Sequence, residues 1–268
     1  MGDTVDLDRF GGIARLYGTE GLQHLNNAHF LVVGIGGVGT WAAEALARSG
    51  VGTLTLADLD DICVTNINRQ THALQSTIGH SKTAAMAQRL RDINPAITVH
   101  ELEDFIDPQN VRQHIDQRYD VILDCADTAH SKTAIIATAK YQKQLVITVG
   151  SAGGKRDPRL ITSNDLNKTV NDPLLAKVRS QLRRFHNYSK NPKRSFQVEA
   201  VYSTEHMVYP SDDGGVCTTK NFSDGDTALN CSGGFGSSTM ITGCFGFHAA
   251  SRAIDKYLAR VERRKGAL

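Results

Sequence analysis

Residues 30–70 read FLVVGIGGVGTWAAEALARSGVGTLTLADLDDICVTNINRQ. FLVVG is a short β-branched apolar run, the pattern of a buried strand, and it ends at Gly34. Gly36, Gly37 and Gly39 follow within five residues, so the chain can turn tightly and bring backbone N–H groups close to a phosphate. Trp41, Ala42, Ala45 and Leu46 are spaced as one apolar face of a helix through Arg48, and Gly50 with Gly52 closes it. TLTLAD then returns as a parallel strand ending at Asp58, nineteen residues after Gly39. A dinucleotide-binding unit places at that point the acid that holds ribose hydroxyls. This stretch alone indicates a nucleotide without saying which.

Outward from it, the rhythm persists to residue 150. SKTAAMAQRLRDINP predicts a helix with Ser81 as N-cap and an end before Pro95. Lys82 falls in its first turn, where a cation opposes the helix dipole, which favours a ligand role. Residues 97–103 alternate as a strand, PQNVRQHID reads as a short helix, and YDVILDCAD as a buried strand that delivers Asp127 to the ligand edge. A helix over 131–142 and the strand QLVITV complete a Rossmann-like, doubly wound, mostly parallel sheet with helices on both faces. Upstream, Ile13, Leu16, Leu22 and Leu25 pad a helical arm over 8–29.

Beyond Gly150 the pattern changes. Residues 165–186 read as helical, FQVEAVYSTE as a late strand in an antiparallel extension, and 209–238 as a long glycine-, serine- and aspartate-rich segment. A final helix is expected over 238–262. The division expected for 1–268 is a single nucleotide-binding domain: a nucleotide core at 8–150, a basic insert with long loops at 151–235, and a C-terminal helix at 236–268.

Composition narrows the class. With 268 residues, 40% of them apolar, the chain can build a sizeable core. Five cysteines form no CxxC pair and MGDTVDLDRF carries no apolar signal segment, so a reducing cytoplasm is the expected home. No run approaches the roughly 18 uninterrupted apolar residues of a spanning helix, and no membrane span is expected. Net charge is +2, yet Pro173 to Val198 holds no acid and carries +7 from Lys177, Arg179, Arg183, Arg184, Lys190, Lys193 and Arg194. The remainder is therefore −5, and a mildly acidic body with one basic insert points to a local polyanion contact.

The order GIGGVG, LADLDDICVTNINRQ, IGHSK and DCAD resembles the ThiF/MoeB family, bacterial relatives of ubiquitin-activating enzymes, over residues 8–150 and again at the C-terminal helix. An NxxRQ run after the Asp strand, with a lysine opening the next helix, has no place in dehydrogenase fingerprints. The resemblance implies an ATP-dependent adenylation site. Gly34, Gly36, Gly37 and Gly39 would line the triphosphate, Asp58 would hold the ribose, and Asn66, Arg69, Gln70 and Lys82 would meet phosphate oxygens. Asp127 would bind Mg²⁺. Cations and fixed donors are what departing pyrophosphate requires.

The family also implies a homodimer in which an arginine of an RxxRQ pattern crosses to the partner. Here the segment reads RFGGIAR, with Gly12 at the fourth position, so Arg15 or Arg9 would serve. Without CxxC pairs no structural zinc is expected. Cys217 or Cys231, in the glycine-rich segment, could be a nucleophile like that of some relatives, while Cys63 and Cys125 read as core residues.

RFGGIARLYG, CVTNINRQ, the acid-free insert, STEHMVYP and CSGGFGSSTM resemble one branch closely, the tRNA threonylcarbamoyladenosine dehydratases. That resemblance implies ATP-driven activation of the threonylcarbamoyl carboxylate on an adenosine beside the anticodon, followed by ring closure. It also implies association with a cysteine desulfurase and its sulfur acceptor. The insert fits RNA, since its seven cations mix with Phe185, His186 and Tyr188, which could stack an unpaired base. Competing readings are an adenylyltransferase for a ubiquitin-like sulfur carrier and a nucleotide-binding scaffold without turnover.

Overall fold

A computed structural model describes residues 5–211, 214–218 and 235–266. After the helical arm α1 (Leu7–Asn26) come β1 (His29–Val33), α2 (Gly37–Arg48), β2 (Thr53–Ala57), α3 (Lys82–Ile93) and β3 (Thr98–Leu102). The second half holds α4 (Val111–His114), β4 (Val121–Asp124), α5 (Ala129–Tyr141), β5 (Leu145–Val149), β6 (Ile161–Asp165), α6 (Pro173–Phe185) and β7 (Glu199–Ser203). A two-stranded ribbon, β8 (Tyr209–Pro210) and β9 (Val216–Cys217), precedes the closing α7 (Thr239–Lys265).

The seven-stranded sheet runs β3-β2-β1-β4-β5-β7-β6, parallel throughout except for β6, which pairs antiparallel with β7. The chain winds outward from β1 in one direction and from β4 in the other, so a crevice opens beyond their C-terminal ends, where sheets of this kind hold ligands. In register, Phe30 faces Leu54 and Val121 across its two neighbours. Phe30, Val32, Leu56 and Leu123 project into a core shared with α2, α3 and α7, whereas Leu31, Val33, Ile122 and Val146 enter a second core under α4, α5 and α6. Strands buried on both faces are apolar at consecutive positions, which is why FLVV and VIL read as unbroken runs. Among the described residues no helix is long and apolar enough to cross a membrane.

Three expectations need correction. The apolar face of α2 is wider than one stripe. Ala42, Ala43, Leu46 and Ala47 are all buried, and Trp41 turns the other way, edge-on to Phe247 of α7. The two helices cross so closely that a Cβ on Gly246 would lie 2.7 Å from the Trp41 Cβ and the Val38 carbonyl, so α2 is sandwiched between sheet and helix. The helix expected over 165–186 begins only at Pro173, with the Asp172 side chain capping it; Asp165 ends edge strand β6, and a short 3-10 helix over Leu166–Lys168 lies between. Proline at the first helical position sets that start. Finally, Cys63 is exposed in the loop after β2 and is no core residue.

Candidate active site

The glycine loop lies at the crevice, and its glycines do different things. Gly34 has φ +86°, and a Cβ there would sit 2.8 Å from the Cys125 carbonyl oxygen. At Gly39 a Cβ would come within 1.8 Å of the Gly34 carbonyl oxygen, so these two let β1, α2 and the end of β4 approach one another. Gly37 packs on Thr242 and Arg69. Gly36 is the open one: a Cβ would meet only the Gln70 amide, at 4.0 Å. Gly36 is also the N-cap of α2 and supplies no side-chain cap, leaving the first N–H groups of that helix for an anion.

Asp58, one residue past β2, is buried and accepts from the Ile35 N–H (2.7 Å) and the Asp60 N–H (2.9 Å). Burial raises its carboxyl above the ordinary value, opposed chiefly by the Lys82 ammonium. Lys82 lies 3.9 Å from Asp58 and 2.6 Å from Asp60. The sequence gives no sign that Asp60 neutralises this first-turn cation, so the helix-dipole conflict is answered within the chain. Asn66 is buried and caps the Cys63 N–H at 3.0 Å. Arg69 has its carbonyl held by the Trp41 indole (3.0 Å) and the Thr242 hydroxyl (3.1 Å), while its guanidinium donates to the Thr65 carbonyl and the Asn68 side chain and remains partly exposed. Gln70 is buried, with its Oε1 lacking a partner among the described residues.

Across the crevice, Asp127 is exposed three residues beyond β4. Among the described residues no cluster of three or more His, Cys, Asp or Glu could hold a metal by itself. Mg²⁺ is commonly bound through one or two carboxylates plus substrate phosphates, a role that a single accessible acid at this edge fits. Sequence reasoning missed what stands behind it. Asp124 and Lys132 are wholly buried and paired at 3.2 Å; the Lys132 ammonium also donates to the Asp124 carbonyl (2.9 Å), and the Thr148 hydroxyl donates to Asp124 (2.6 Å). The first acid of DCAD and a lysine on the buried face of α5 were the available signal.

Of the two candidate arginines on α1, Arg9 is occupied, paired with Asp6 and donating to the Ile93 carbonyl. Arg15 is exposed and makes no ion pair among the described residues. Cys125 has an enclosed thiol that desolvation pushes up to about 12, against any role as thiolate. Cys217 lies on β9 opposite Tyr209, and Cys231 falls outside the described residues.

The basic insert forms α6 and the loop after it. Asp172 accepts from the Ser151 N–H at 2.8 Å, fixing the N-terminus of α6 at the ligand edge of β5. Lys177, Arg184, Lys190, Lys193 and Arg194 are exposed, as are Phe185 and His186. Arg179 and Arg183 are partly buried; Arg179 donates to the Thr169 hydroxyl, and Arg183 donates to Asn167 (2.5 Å) and stacks on Phe196. Tyr188 packs edge-on against Phe196 and so belongs to the core, correcting its expected place among the base-stacking rings.

The profile of the ThiF family matches residues 11–261. The chain belongs to the ThiF family. Within this family it is 51% identical over 252 residues to the tRNA threonylcarbamoyladenosine dehydratase of Haemophilus influenzae, covering 94% of each chain. It is 48% identical over 256 residues to that of Escherichia coli K12, covering 96% of each. The crystal structure of the E. coli tRNA N6-threonylcarbamoyladenosine dehydratase in complex with ATP superposes with a TM-score of 0.86 at 44% identity, covering 97% of this chain and 99% of the other. The matched residues 11–261 include the glycine loop, Asp58 and the NxxRQ run.

Proposed function

We propose that this protein uses ATP to dehydrate threonylcarbamoyladenosine in tRNA, through an acyl-adenylate. The observation that carries this reading is the near full-length similarity to two dehydratases of that name, one with ATP bound in its crystal structure. The site supports it. Gly36 and the N-terminus of α2 would offer donors to the triphosphate, Asp58 would hold the ribose, and Arg69, Lys82, Asn66 and Gln70 would meet the leaving phosphates. Asp127 would hold Mg²⁺, whose charge would offset that developing on pyrophosphate. The substrate carboxylate oxygen bonds to the α-phosphorus as the bond to pyrophosphate breaks. An internal nucleophile of the threonylcarbamoyl group then attacks the acyl carbon, the C–O bond to AMP breaks, and a ring closes. The balance is loss of one water, driven by cleavage of ATP to AMP and pyrophosphate.

In this reading residues 8–150 carry the adenylation chemistry and the exposed cations of 151–235 meet the tRNA backbone, in the cytoplasm. A homodimer is supported by exposed Ile67, Met240 and Phe247 near the junction of the NxxRQ loop and α7, where the Asn68 amide donates to the Ser237 carbonyl, and by exposed Arg15, which makes no ion pair among the described residues. The test is AMP formation from ATP with three acceptors: tRNA bearing threonylcarbamoyladenosine, tRNA lacking it, and a sulfur-carrier protein with a glycine C-terminus. AMP only with the first is expected; AMP only with the carrier would overturn the proposal.

A further inference from the structure

His72 follows the NxxRQ run by two residues and is 2% exposed. Its Nε2 lies 3.1 Å from the carbonyl oxygen of Ile35, inside the glycine loop. A carbonyl can only accept, so Nε2 carries the proton and Nδ1 the lone pair. Nδ1 is buried and without a partner among the described residues. On the other side of the same residue, the Ile35 N–H donates to Asp58 at 2.7 Å. Ile35 is thus tied by side chains at both its N–H and its C=O, both from the connection between β2 and α3, and it immediately precedes the open Gly36.

His72 is itself held. The Thr77 hydroxyl donates to the His72 carbonyl at 2.6 Å, and the Ala73 N–H donates to the Gln70 carbonyl at 3.1 Å. The ring also forms part of the wall of a cavity of about 270 Å³ shared with Arg48, Leu74, Thr77, Gln88 and Arg89. Burial, with the Lys82 and Arg89 charges as smaller contributors, lowers its pKa to about 4, so the ring is neutral near pH 7.

We infer that His72 is a positioning residue for ATP: its Nε2–H holds the Ile35 carbonyl so that the glycine loop is pre-set to receive the phosphates before nucleotide arrives. The inference rests on the assignment of the glycine loop to ATP phosphates. A loop whose peptide is fixed in advance loses less conformational freedom on binding, and the advantage appears as affinity. Packing alone would require only the shape of the ring; positioning requires the donor.

Two variants separate these. His72→Gln keeps a donor that can reach the Ile35 carbonyl, and His72→Leu fills the space without one. Hydrogen exchange of the peptide spanning residues 34–39, without ATP, is expected to quicken by about tenfold in His72→Leu and to remain near native in His72→Gln, the scale of one lost neutral hydrogen bond. Equilibrium binding of ATP is expected to weaken by a similar factor only in His72→Leu. Equal exchange in His72→Leu and the native protein would overturn the positioning role, as would equal loss in both variants. Exchange is read without nucleotide, so a native protein that binds no ATP would refute the functional proposal and leave this result legible. Should His72→Leu not fold, nitrogen NMR of the native histidine decides: protonated Nε2 with bare Nδ1 is expected, and the reverse tautomer contradicts the inference.

Discussion

Lys132 and Asp124 form an ion pair at 3.2 Å with both side chains at 0% exposure, directly behind the crevice. Asp124 also receives the Thr148 hydroxyl and, through Oδ1, the Ala126 N–H at 3.3 Å. The pair thereby anchors the turn that carries Asp127 and abuts Gly34. Removing one partner strands a buried charge, at about 3–5 kcal/mol, whereas replacing both with apolar residues of similar size is often close to neutral. Lys132→Met alone is therefore expected to lose most of that stability in urea unfolding, and Lys132→Met with Asp124→Leu to regain much of it. Equal loss in the single and double variants would show that the pair contributes through shape alone.

The glycine loop separates stability from binding. Gly39→Ala puts a methyl into the Gly34 carbonyl and should cost at least 1–3 kcal/mol, roughly the range for overpacking. Gly36→Ala meets almost nothing and should melt close to the native temperature, yet bind ATP weakly because the methyl enters the open side. Thermal melting paired with nucleotide titration checks both; native ATP affinity in Gly36→Ala would place the phosphates elsewhere.

The depressed His72 pKa has a signed consequence. Between its unfolded value of 6.5 and its folded value of about 4, the unfolded chain binds a proton that the native ring refuses. Stability from this group therefore rises with pH across that window and is constant above it, with a limiting slope of about 1.4 kcal/mol per pH unit. Asp58 and Asp172, both raised by burial, act in the opposite sense as pH climbs above the ordinary carboxylate value. The difference in unfolding free energy between native protein and His72→Gln isolates the histidine, and it should grow in favour of the variant as pH falls from 6.5.

The basic insert should divide in two. Charge reversal at Arg184, Lys193 or Arg194, all exposed, is expected to weaken tRNA binding and to reduce its salt slope by about 1 for each residue that meets a phosphate. Arg183→Glu should instead destabilise the fold, since it loses Asn167 and the face of Phe196. Filter binding across a salt series, beside melting curves, distinguishes these; an unchanged slope in the exposed variants would remove the insert from the RNA interface.

Much of this was legible in the sequence because local and global signals agree over residues 30–150. Apolar runs mark strands buried on both faces, Ser81 caps α3 as its position implies, and the glycines fall where backbones nearly touch. What stayed hidden depends on contacts between distant segments. Nothing local reveals that Asp60 neutralises Lys82 or that His72 reaches Ile35 thirty-seven positions away. The edge strand β6 was missed for a related reason: half-exposed ITSND lacks a strong pattern, and only its pairing with β7 defines it.

The central claim is tested most directly by mass spectrometry of nucleosides from tRNA incubated with the protein and ATP. Threonylcarbamoyladenosine should be converted to a product lighter by one water, only when ATP is present, and Asp127→Ala should prevent it. Unchanged threonylcarbamoyladenosine with folded, ATP-binding native protein and ATP would contradict the account.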